Sequence, residues 1–133
     1  MPKSLYYISV FVLIIFAAGQ SCSRLIDDSA LEPDEFIASI YEKPGKIIDV
    51  RSVQRYNTEH LPQASNLDIE DTASFKQQIA SLTRKEVYYL YCQDGKLSRR
   101  ALVLMKEAGF PEVYELKGGL KSLSKEGYQL SSL

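Results

Sequence analysis

The sequence predicts a single α/β domain built on an open, mainly parallel sheet that lies between helices. Strand-like and helix-like runs alternate along the chain, as they do in successive βαβ units. Residues 87–91 form a continuous apolar run (VYYLY), which is typical of a strand covered on both faces. The 133 residues, 45% of them hydrophobic and 25% charged, suit one folded domain rather than a disordered chain.

Local patterns predict the individual elements. Pro33 and the acids after it begin a helix that ends at Pro44-Gly45. Apolar residues recur at helical spacing over residues 71–82, with Asp71 or Thr72 as the cap. The remaining predicted elements are strands over residues 46–51, 64–68, 87–91 and 112–116, and helices over residues 52–57 (capped by Ser52), 98–108 and 120–125.

Charge and composition exclude several classes of function. Sixteen Lys and Arg against seventeen Asp and Glu leave a net charge of -1, unlike a protein that holds nucleic acid by neutralising phosphates. Two cysteines and one histidine are too few for a disulfide scaffold or a zinc site. We therefore expect no metal, no cofactor and no nucleic-acid partner.

The beginning of the chain is typical of a bacterial export signal. Lys3 precedes an apolar run over residues 5–18, and small residues follow it. The run is shorter than the about 20 residues that a membrane-spanning helix needs, which favours a signal peptide over an uncleaved anchor. We expect a signal peptide over residues 1–21, a linker over residues 22–30 and one folded domain over residues 31–133.

Cys22 directly follows the small residues, which is the position of the lipidated cysteine in lipoprotein signals. We therefore expect an exported protein of the bacterial cell envelope, held at the membrane by a lipid on Cys22. The alternative is cleavage after Gly19 or Ser21, which leaves Cys22 as a free thiol. If Cys22 carries lipid, Cys92 is the one thiol left in an oxidising compartment, where an unpaired cysteine is either buried or used.

Chemistry concentrates where two predicted strands end. Ligands of open α/β sheets bind at the carboxyl ends of strands, and there the sequence places Asp49 with Arg51, and Cys92. Residues 92–97 form a short loop leading into a helix capped by Ser98, and such a loop turns backbone N–H groups inward around an anion. These donors stabilise a thiolate, which makes Cys92 a candidate nucleophile without an adjacent base. The alternative is a small cysteine packed in the core.

Five short segments, in order along the chain, resemble those of single-domain rhodanese-like sulfurtransferases. They are residues 47–51 (IIDVR), Tyr56 with residues 59–64 (EHLPQA), residues 87–98 (VYYLYCQDGKLS), residues 108–110 (AGF) and residues 113–119 (VYELKGG). The resemblance implies an open, mainly parallel five-stranded sheet flanked by helices on both faces. It also implies an enzyme that takes sulfane sulfur from a small donor, holds it as a persulfide on Cys92 and passes it to a thiol or cyanide acceptor. The sequence gives no grounds for an oligomer, so we expect a monomer.

Carried over by position, the resemblance makes Cys92 the nucleophile within a cradle of backbone N–H groups. The cradle comprises Gln93, Asp94, Gly95, Lys96, Leu97 and Ser98, with Asp49, Arg51 and Arg99 in support. Leu97 stands where the family often has arginine, and Gln93 stands where arginine is frequent. Because leucine cannot pair with an anionic donor, Leu97 favours an uncharged or thiol-based persulfide donor over thiosulfate. Ser98 replaces the arginine of the related phosphatase and arsenate-reductase branch, which disfavours phosphate chemistry.

Two other functions stay open on this evidence. One is a catalytically weak binding or redox-sensing module of the envelope, which Leu97 favours, and the other is a purely structural envelope lipoprotein. A cluster of Lys96, Arg99 and Arg100 beside the loop either attracts an anionic donor or is simply solvated. We expect His60 and the tyrosines of residues 88–91 to be structural, and the structural interpretation is also favoured for Asp49 and Arg51.

Overall fold

The computed structural model describes Arg24 and residues 26–130. The predicted signal peptide and the lipidation site Cys22 lie outside the described residues. The strands are β1 (Ala30–Leu31), β2 (Lys46–Asp49), β3 (Ser65–Asn66), β4 (Tyr88–Tyr91) and β5 (Val113–Leu116). The helices are α1 (Pro33–Glu42), α2 (Val53–Thr58), α3 (Thr72–Ala80), α4 (Lys96–Glu107) and α5 (Gly119–Lys125). None of the described helices is long and apolar enough to span a bilayer.

The strands form one parallel sheet in the order β1-β5-β4-β2-β3. Asp49 at the end of β2 pairs with Tyr91 at the end of β4. On the other side of β4, Leu90 pairs with Glu115 of β5. The carboxyl ends of the three central strands therefore meet at one edge of the sheet. The predicted five-stranded α/β architecture is confirmed.

A core lies on each face of the sheet, because alternate residues of β4 point to opposite faces. Tyr88 and Leu90 belong to one buried cluster, and Tyr89 and Tyr91 belong to the other. The first cluster includes residues of α3 and α4 (Phe75, Ile79, Ala101, Leu102 and Met105). The second includes residues of α1 and α5 (Phe36, Leu120 and Leu123). Helices thus cover both faces of the sheet, as the apolar run of β4 predicts.

The buried tyrosines pack as core residues with satisfied hydroxyls. Tyr88 donates to the Thr83 carbonyl at 2.8 Å, and Tyr89 donates to a carbonyl at the end of α1. The Tyr91 hydroxyl accepts the Leu61 N–H at 3.0 Å. The structural interpretation of these side chains is therefore confirmed.

The first strand lies partly within the segment predicted as a linker, residues 22–30. Ala30 of β1 pairs with Glu115 of β5, and the Ser29 carbonyl accepts the Glu115 N–H at 2.9 Å. The Leu31 carbonyl accepts the Lys117 N–H, also at 2.9 Å. An edge strand of two residues is too short to show a period in the sequence, so the start of the sheet was not predicted.

Helix α4 begins earlier than the sequence predicts, which corrects the assignment of Ser98 as its cap. The helix begins at Lys96, and Gly95 occupies the N-cap with φ 88°. A positive φ favours glycine, so Gly95 sets the starting point of the helix. Ser98 lies in the first turn, buried, and its hydroxyl is within hydrogen-bond distance of two acceptors, the Gly95 carbonyl at 3.2 Å and the Glu115 carboxylate at 2.9 Å.

Candidate active site

Cys92 follows β4 directly, and its sulfur lies inside the turn that leads into α4. The side chain is fully buried. Its Sγ accepts the backbone N–H of Gly95 at 3.1 Å and that of Ser98 at 3.4 Å. Both donors belong to the first turn of α4 or its cap, where backbone N–H groups have no partner within the helix. The loop therefore presents amide dipoles to the sulfur, the arrangement that stabilises a thiolate.

The start of α5 holds the other side of this loop. The Cys92 carbonyl accepts the Leu120 N–H at 2.9 Å, and the Gln93 carbonyl accepts the Lys121 N–H at 3.1 Å. Gly119 allows this approach, because a Cβ at this position would lie 2.5 Å from the Cys92 carbonyl oxygen. The glycine pair at residues 118–119 is thus part of the loop's support.

We predict that Gly119→Ala displaces the loop and destabilises the fold. The new Cβ would meet backbone atoms of residues 92–94, and Gly119 has φ 64°. We expect a loss of about 2–4 kcal/mol in the free energy of unfolding, measured by chemical denaturation. Gly127→Ala is the matched control, because Gly127 also has a positive φ but no atom within 4 Å of the added carbon. Equal losses in both variants would contradict the proposed close approach.

Asp49 and Arg51 form a buried ion pair beside the loop. Arg51 donates through Nε and Nη2 to the Asp49 carboxylate at 3.0 and 2.7 Å, and its backbone N–H also binds this carboxylate. Burial lowers the pKa of Arg51, but the hydrogen bond and charge of Asp49 more than offset this and raise it. Burial and the Asp49 charge also raise the pKa of Tyr91. The structural interpretation of this pair therefore fits the geometry.

Arg51 also connects the ion pair to the loop after Cys92. Its Nη1 donates to Gln93 Oε1 at 3.0 Å, and its Nη2 donates to the Glu59 carbonyl at 2.6 Å. The Gln93 side chain is thus fixed by a buried cation. His60 instead stacks on Tyr56, with 4.0 Å between ring centroids, in an exposed position.

A cleft of about 620 Å³ opens at Cys92. Its lining includes Arg51, Ser52, Arg55, Glu70, Cys92, Gln93, Asp94, Lys96, Leu97 and Lys121. Of the predicted basic cluster only Lys96 lines this cleft, since Arg100 bonds Thr72 and Arg99 turns behind the loop. Arg55 and Lys121, which the sequence analysis did not select, add positive charge to the same rim. Leu97 lies beside Cys92 in this lining, so it borders the space that a donor would occupy.

Glu115 is a site residue that the sequence analysis missed. It is 3% exposed and lies behind the loop, at the end of β5. Its Oε2 accepts the Ser98 hydroxyl at 2.9 Å, and its Oε1 accepts Arg99 Nη1 at 3.2 Å. Burial raises the pKa of Glu115, although the hydrogen bonds from Ser98 and Arg99 oppose the shift. The signal in the sequence that could have indicated Glu115 was a single acidic residue within an otherwise apolar strand, residues 113–116.

The predicted residues Cys92, Gly95 and Ser98 come together around one sulfur atom, and Gln93, Asp94, Lys96 and Leu97 line the cleft outside it. Within Arg24 and residues 26–130, no group of three His, Cys, Asp or Glu side chains is placed to hold a metal ion. A buried cysteine at the end of a parallel strand, with amides of the next helix around its sulfur, defines an α/β domain with a cysteine-centred anion loop.

A comparison with known protein families shows which family this domain belongs to. The family model for the rhodanese-like domain matches residues 32–126. The chain therefore belongs to the rhodanese-like domain family.

Similar proteins include both short and long chains. Over 113 residues the chain is 33% identical to YqhL of Bacillus subtilis, covering 85% of this chain and 84% of that protein. It is 28% identical to the thiosulfate sulfurtransferase GlpE of Pseudomonas savastanoi over 67% of this chain and 81% of GlpE. It is 31% identical to the tRNA uridine(34) hydroxylase of Onion yellows phytoplasma over 71% of this chain. The chain spans only 32% of that hydroxylase.

Solved structures share the fold. The Alr3790 protein from Anabaena is 30% identical, with a TM-score of 0.62 over 74% of this chain and 79% of that chain. A rhodanese-related protein from Thermoplasma volcanium has a TM-score of 0.64 over 75% of this chain and 94% of that chain. Its 20% identity shows a common fold alone.

Proposed function

We propose that the protein is a rhodanese-type sulfurtransferase that carries sulfane sulfur as a persulfide on Cys92. The observation that carries the proposal is the position of the Cys92 sulfur, 3.1 Å from the Gly95 nitrogen and 3.4 Å from the Ser98 nitrogen, at the base of an open cleft. Amide donors in this position favour the thiolate, which is the nucleophilic form of cysteine. Family membership and the similarity to GlpE support the same activity.

The reaction consists of two displacements at sulfur. The Cys92 thiolate attacks the outer sulfur of a donor R–S–SH, the donor S–S bond breaks, and RS⁻ leaves with the electron pair. Cys92 then carries –S–SH. An acceptor thiolate attacks this outer sulfur, takes it as R′–S–SH and restores the Cys92 thiolate. The loop amides can stabilise negative charge on sulfur in both displacements without moving.

The lining of the cleft favours a thiol-based persulfide donor over thiosulfate. Leu97 supplies an apolar surface beside Cys92, where an anionic sulfonate group would lose water without gaining a charged partner. Arg51, a buried cation in the lining of this cleft, already binds Asp49, Gln93 and the Glu59 carbonyl. The exposed cations Arg55, Lys96 and Lys121 also line the cleft, where they suit carboxylates of a larger donor.

Sulfur loading tests the proposal directly. In the full chain with Cys22→Ser, Cys92 is the only cysteine, so the intact mass reports on this residue. We expect glutathione persulfide to add one sulfur atom, and cyanide to remove it as thiocyanate. We expect thiosulfate to load the protein at least about tenfold more slowly, because one missing charged hydrogen bond has roughly this effect.

Two outcomes of this experiment would decide against the proposal. No gain in mass from either donor, with Cys92 reduced and the protein folded, would leave a rhodanese fold used for binding or redox sensing. Faster loading by thiosulfate than by the persulfide would overturn the donor preference alone. Leu97→Arg is the matched variant, and we expect it to narrow the difference between the two donors by supplying the missing cation.

The proposal includes a location and partners. Residues 1–21 and Cys22 support an exported envelope protein, held at the membrane by a lipid on Cys22. Its partners would then be a small sulfur donor and a thiol acceptor, with the protein acting as a monomer. Incorporation of labelled fatty acid that disappears in Cys22→Ser is the expected result, and labelling that persists would contradict this site of attachment.

A further inference from the structure

Behind the loop, a chain of hydrogen bonds connects the Cys92 sulfur to a buried carboxylate. The Cys92 thiol donates to Ser98 Oγ at 3.5 Å, and the Ser98 hydroxyl donates to Glu115 Oε2 at 2.9 Å. All three residues are at most 3% exposed. We infer that Glu115 is a positioning residue that takes up the proton of Cys92 through Ser98. The inference deepens the proposed function, since it concerns how the same cysteine becomes a nucleophile.

The transfer balances without any other reactant. The Cys92 proton moves to Ser98 Oγ while the Ser98 proton moves to Glu115, which leaves a thiolate and a neutral carboxylic acid. The two hydrogen bonds then run in reverse, from Glu115 to Ser98 Oγ and from Ser98 to the sulfur. While sulfur is bound, Glu115 stays protonated. A proton returns from Glu115 to Cys92 only if the restored thiolate is not used in another cycle.

The surroundings of Glu115 suit a group that changes its protonation. Burial raises the pKa of its carboxyl group, which makes it a better proton acceptor than an exposed acid. Arg99 binds the other carboxylate oxygen and also bonds the Ile26 carbonyl and Asp27, so it supports the ionised form. Both forms of Glu115 therefore have a hydrogen-bonding partner.

Glu115 also lines a second, rear cavity of about 490 Å³. Cys92 lines the cleft described above, and the two cavities share the loop residues Asp94 and Lys96. The charged groups that share this rear cavity are Asp27, Asp94, Lys96, Arg99 and Lys117. A sulfur donor in the cleft at Cys92 would leave the rear cavity open. The proton on Glu115 could then exchange with solvent in the rear cavity during the reaction.

The pH dependence of Cys92 alkylation tests this inference without a sulfur donor. In the full chain with Cys22→Ser, we expect the rate of Cys92 alkylation by iodoacetamide to rise with pH in two steps that are separated by a plateau. In the pH range of the plateau, Cys92 and Glu115 share one proton as a coupled pair. In Glu115→Gln the plateau should disappear, and the rate should rise about tenfold per pH unit to a single step. Glu107→Gln, which removes an exposed carboxylate from α4, should keep the plateau.

Ser98→Ala tests the connecting hydroxyl. We expect the plateau rate to fall about tenfold, because the thiolate loses a charge-assisted hydrogen bond. An unchanged plateau in Ser98→Ala, or the same profile in Glu115→Gln as in the parent chain, would overturn the relay. If Glu115→Gln does not fold, carboxyl NMR of Glu115 in the parent chain decides. Its two-step titration should become a single step after Cys92 is alkylated, and no change would overturn the inference.

These results separate the relay from the proposed function. Sulfur loading with an unchanged alkylation profile would leave the sulfurtransferase intact and remove the relay. A lost plateau in Glu115→Gln without any sulfur loading would keep the relay and remove the sulfurtransferase.

Discussion

Cys92→Ser is expected to abolish sulfur loading completely while the domain stays folded. A serine oxygen cannot hold a sulfane sulfur that is released again to a thiol, and it is far less nucleophilic than a thiolate. The smaller oxygen can still accept the Gly95 N–H that now binds Sγ. We therefore expect the free energy of unfolding to change by about 1 kcal/mol or less. Intact mass and chemical denaturation of the same sample measure both quantities.

Cys22→Ser is the matched control for this experiment. It removes the other cysteine of the chain and should leave sulfur loading at the rate of the parent protein. Residual loading of the Cys92→Ser chain that disappears when Cys22 is also replaced would place the reactive sulfur at Cys22 instead. An unfolded Cys92→Ser chain would contradict the expectation that this residue contributes chemistry rather than stability.

Asp49→Ala is expected to lower the free energy of unfolding more than Gly119→Ala or Cys92→Ser does. The Asp49 carboxylate accepts four hydrogen bonds from three N–H groups of Arg51, and both side chains are at most 5% exposed. Within the described residues, removing it leaves a buried guanidinium with Gln93 and the Glu59 carbonyl as hydrogen-bonding partners and the Tyr91 ring 5.8 Å away. Breaking a buried pair in this way costs about 3–5 kcal/mol, measured as the free energy of unfolding. Sulfur loading should slow as well, because Arg51 positions Gln93.

Two comparisons isolate the buried charge as the cause. The double variant Asp49→Leu with Arg51→Met should be more stable than Asp49→Ala, since no unpaired charge remains in the core. Glu32→Ala breaks a pair with Lys117 in which both side chains are 62% exposed. It should cost about 1 kcal/mol or less. Similar losses in Asp49→Ala and Glu32→Ala would show that burial does not determine the strength of the Asp49 pair.

The sequence predicted the central part of the fold because its patterns are local. The apolar run in β4 and the helical spacing in α3 each extend over only a few residues. Of the two predicted caps, Asp71 and Thr72, it is Asp71 that caps α3, by accepting the Ser74 N–H at 3.0 Å. Strand β1 was missed because it consists of two residues whose hydrogen bonds all go to β5 and the chain just after it, more than 80 residues away. Only the tertiary structure makes it a strand.

The residues of the candidate site that lie close together in the sequence were predicted, and those that tertiary packing brings to the site were missed. Cys92 and Gly95 lie on one continuous turn, so their spacing was enough to place them together. Ser98 was assigned to a cap because serine is common there, but Gly95 already has the φ that ends the loop. Glu115 and Lys121 reach the site from β5 and α5, and their positions depend on the order of the strands.

The bonds from α5 to the loop carbonyls have an electrostatic consequence. In a trans peptide the N–H points opposite to the C=O, and the carbonyls of Cys92 and Gln93 both point toward α5. The N–H groups of Gln93 and Asp94 therefore point away from α5, and they cannot rotate without breaking these bonds. The same bonds hold the loop just before Gly95, whose N–H contacts Sγ together with that of Ser98. The donors around the sulfur are therefore in place before any donor of sulfur arrives, so negative charge can move onto and off Cys92 with little dipole reorientation.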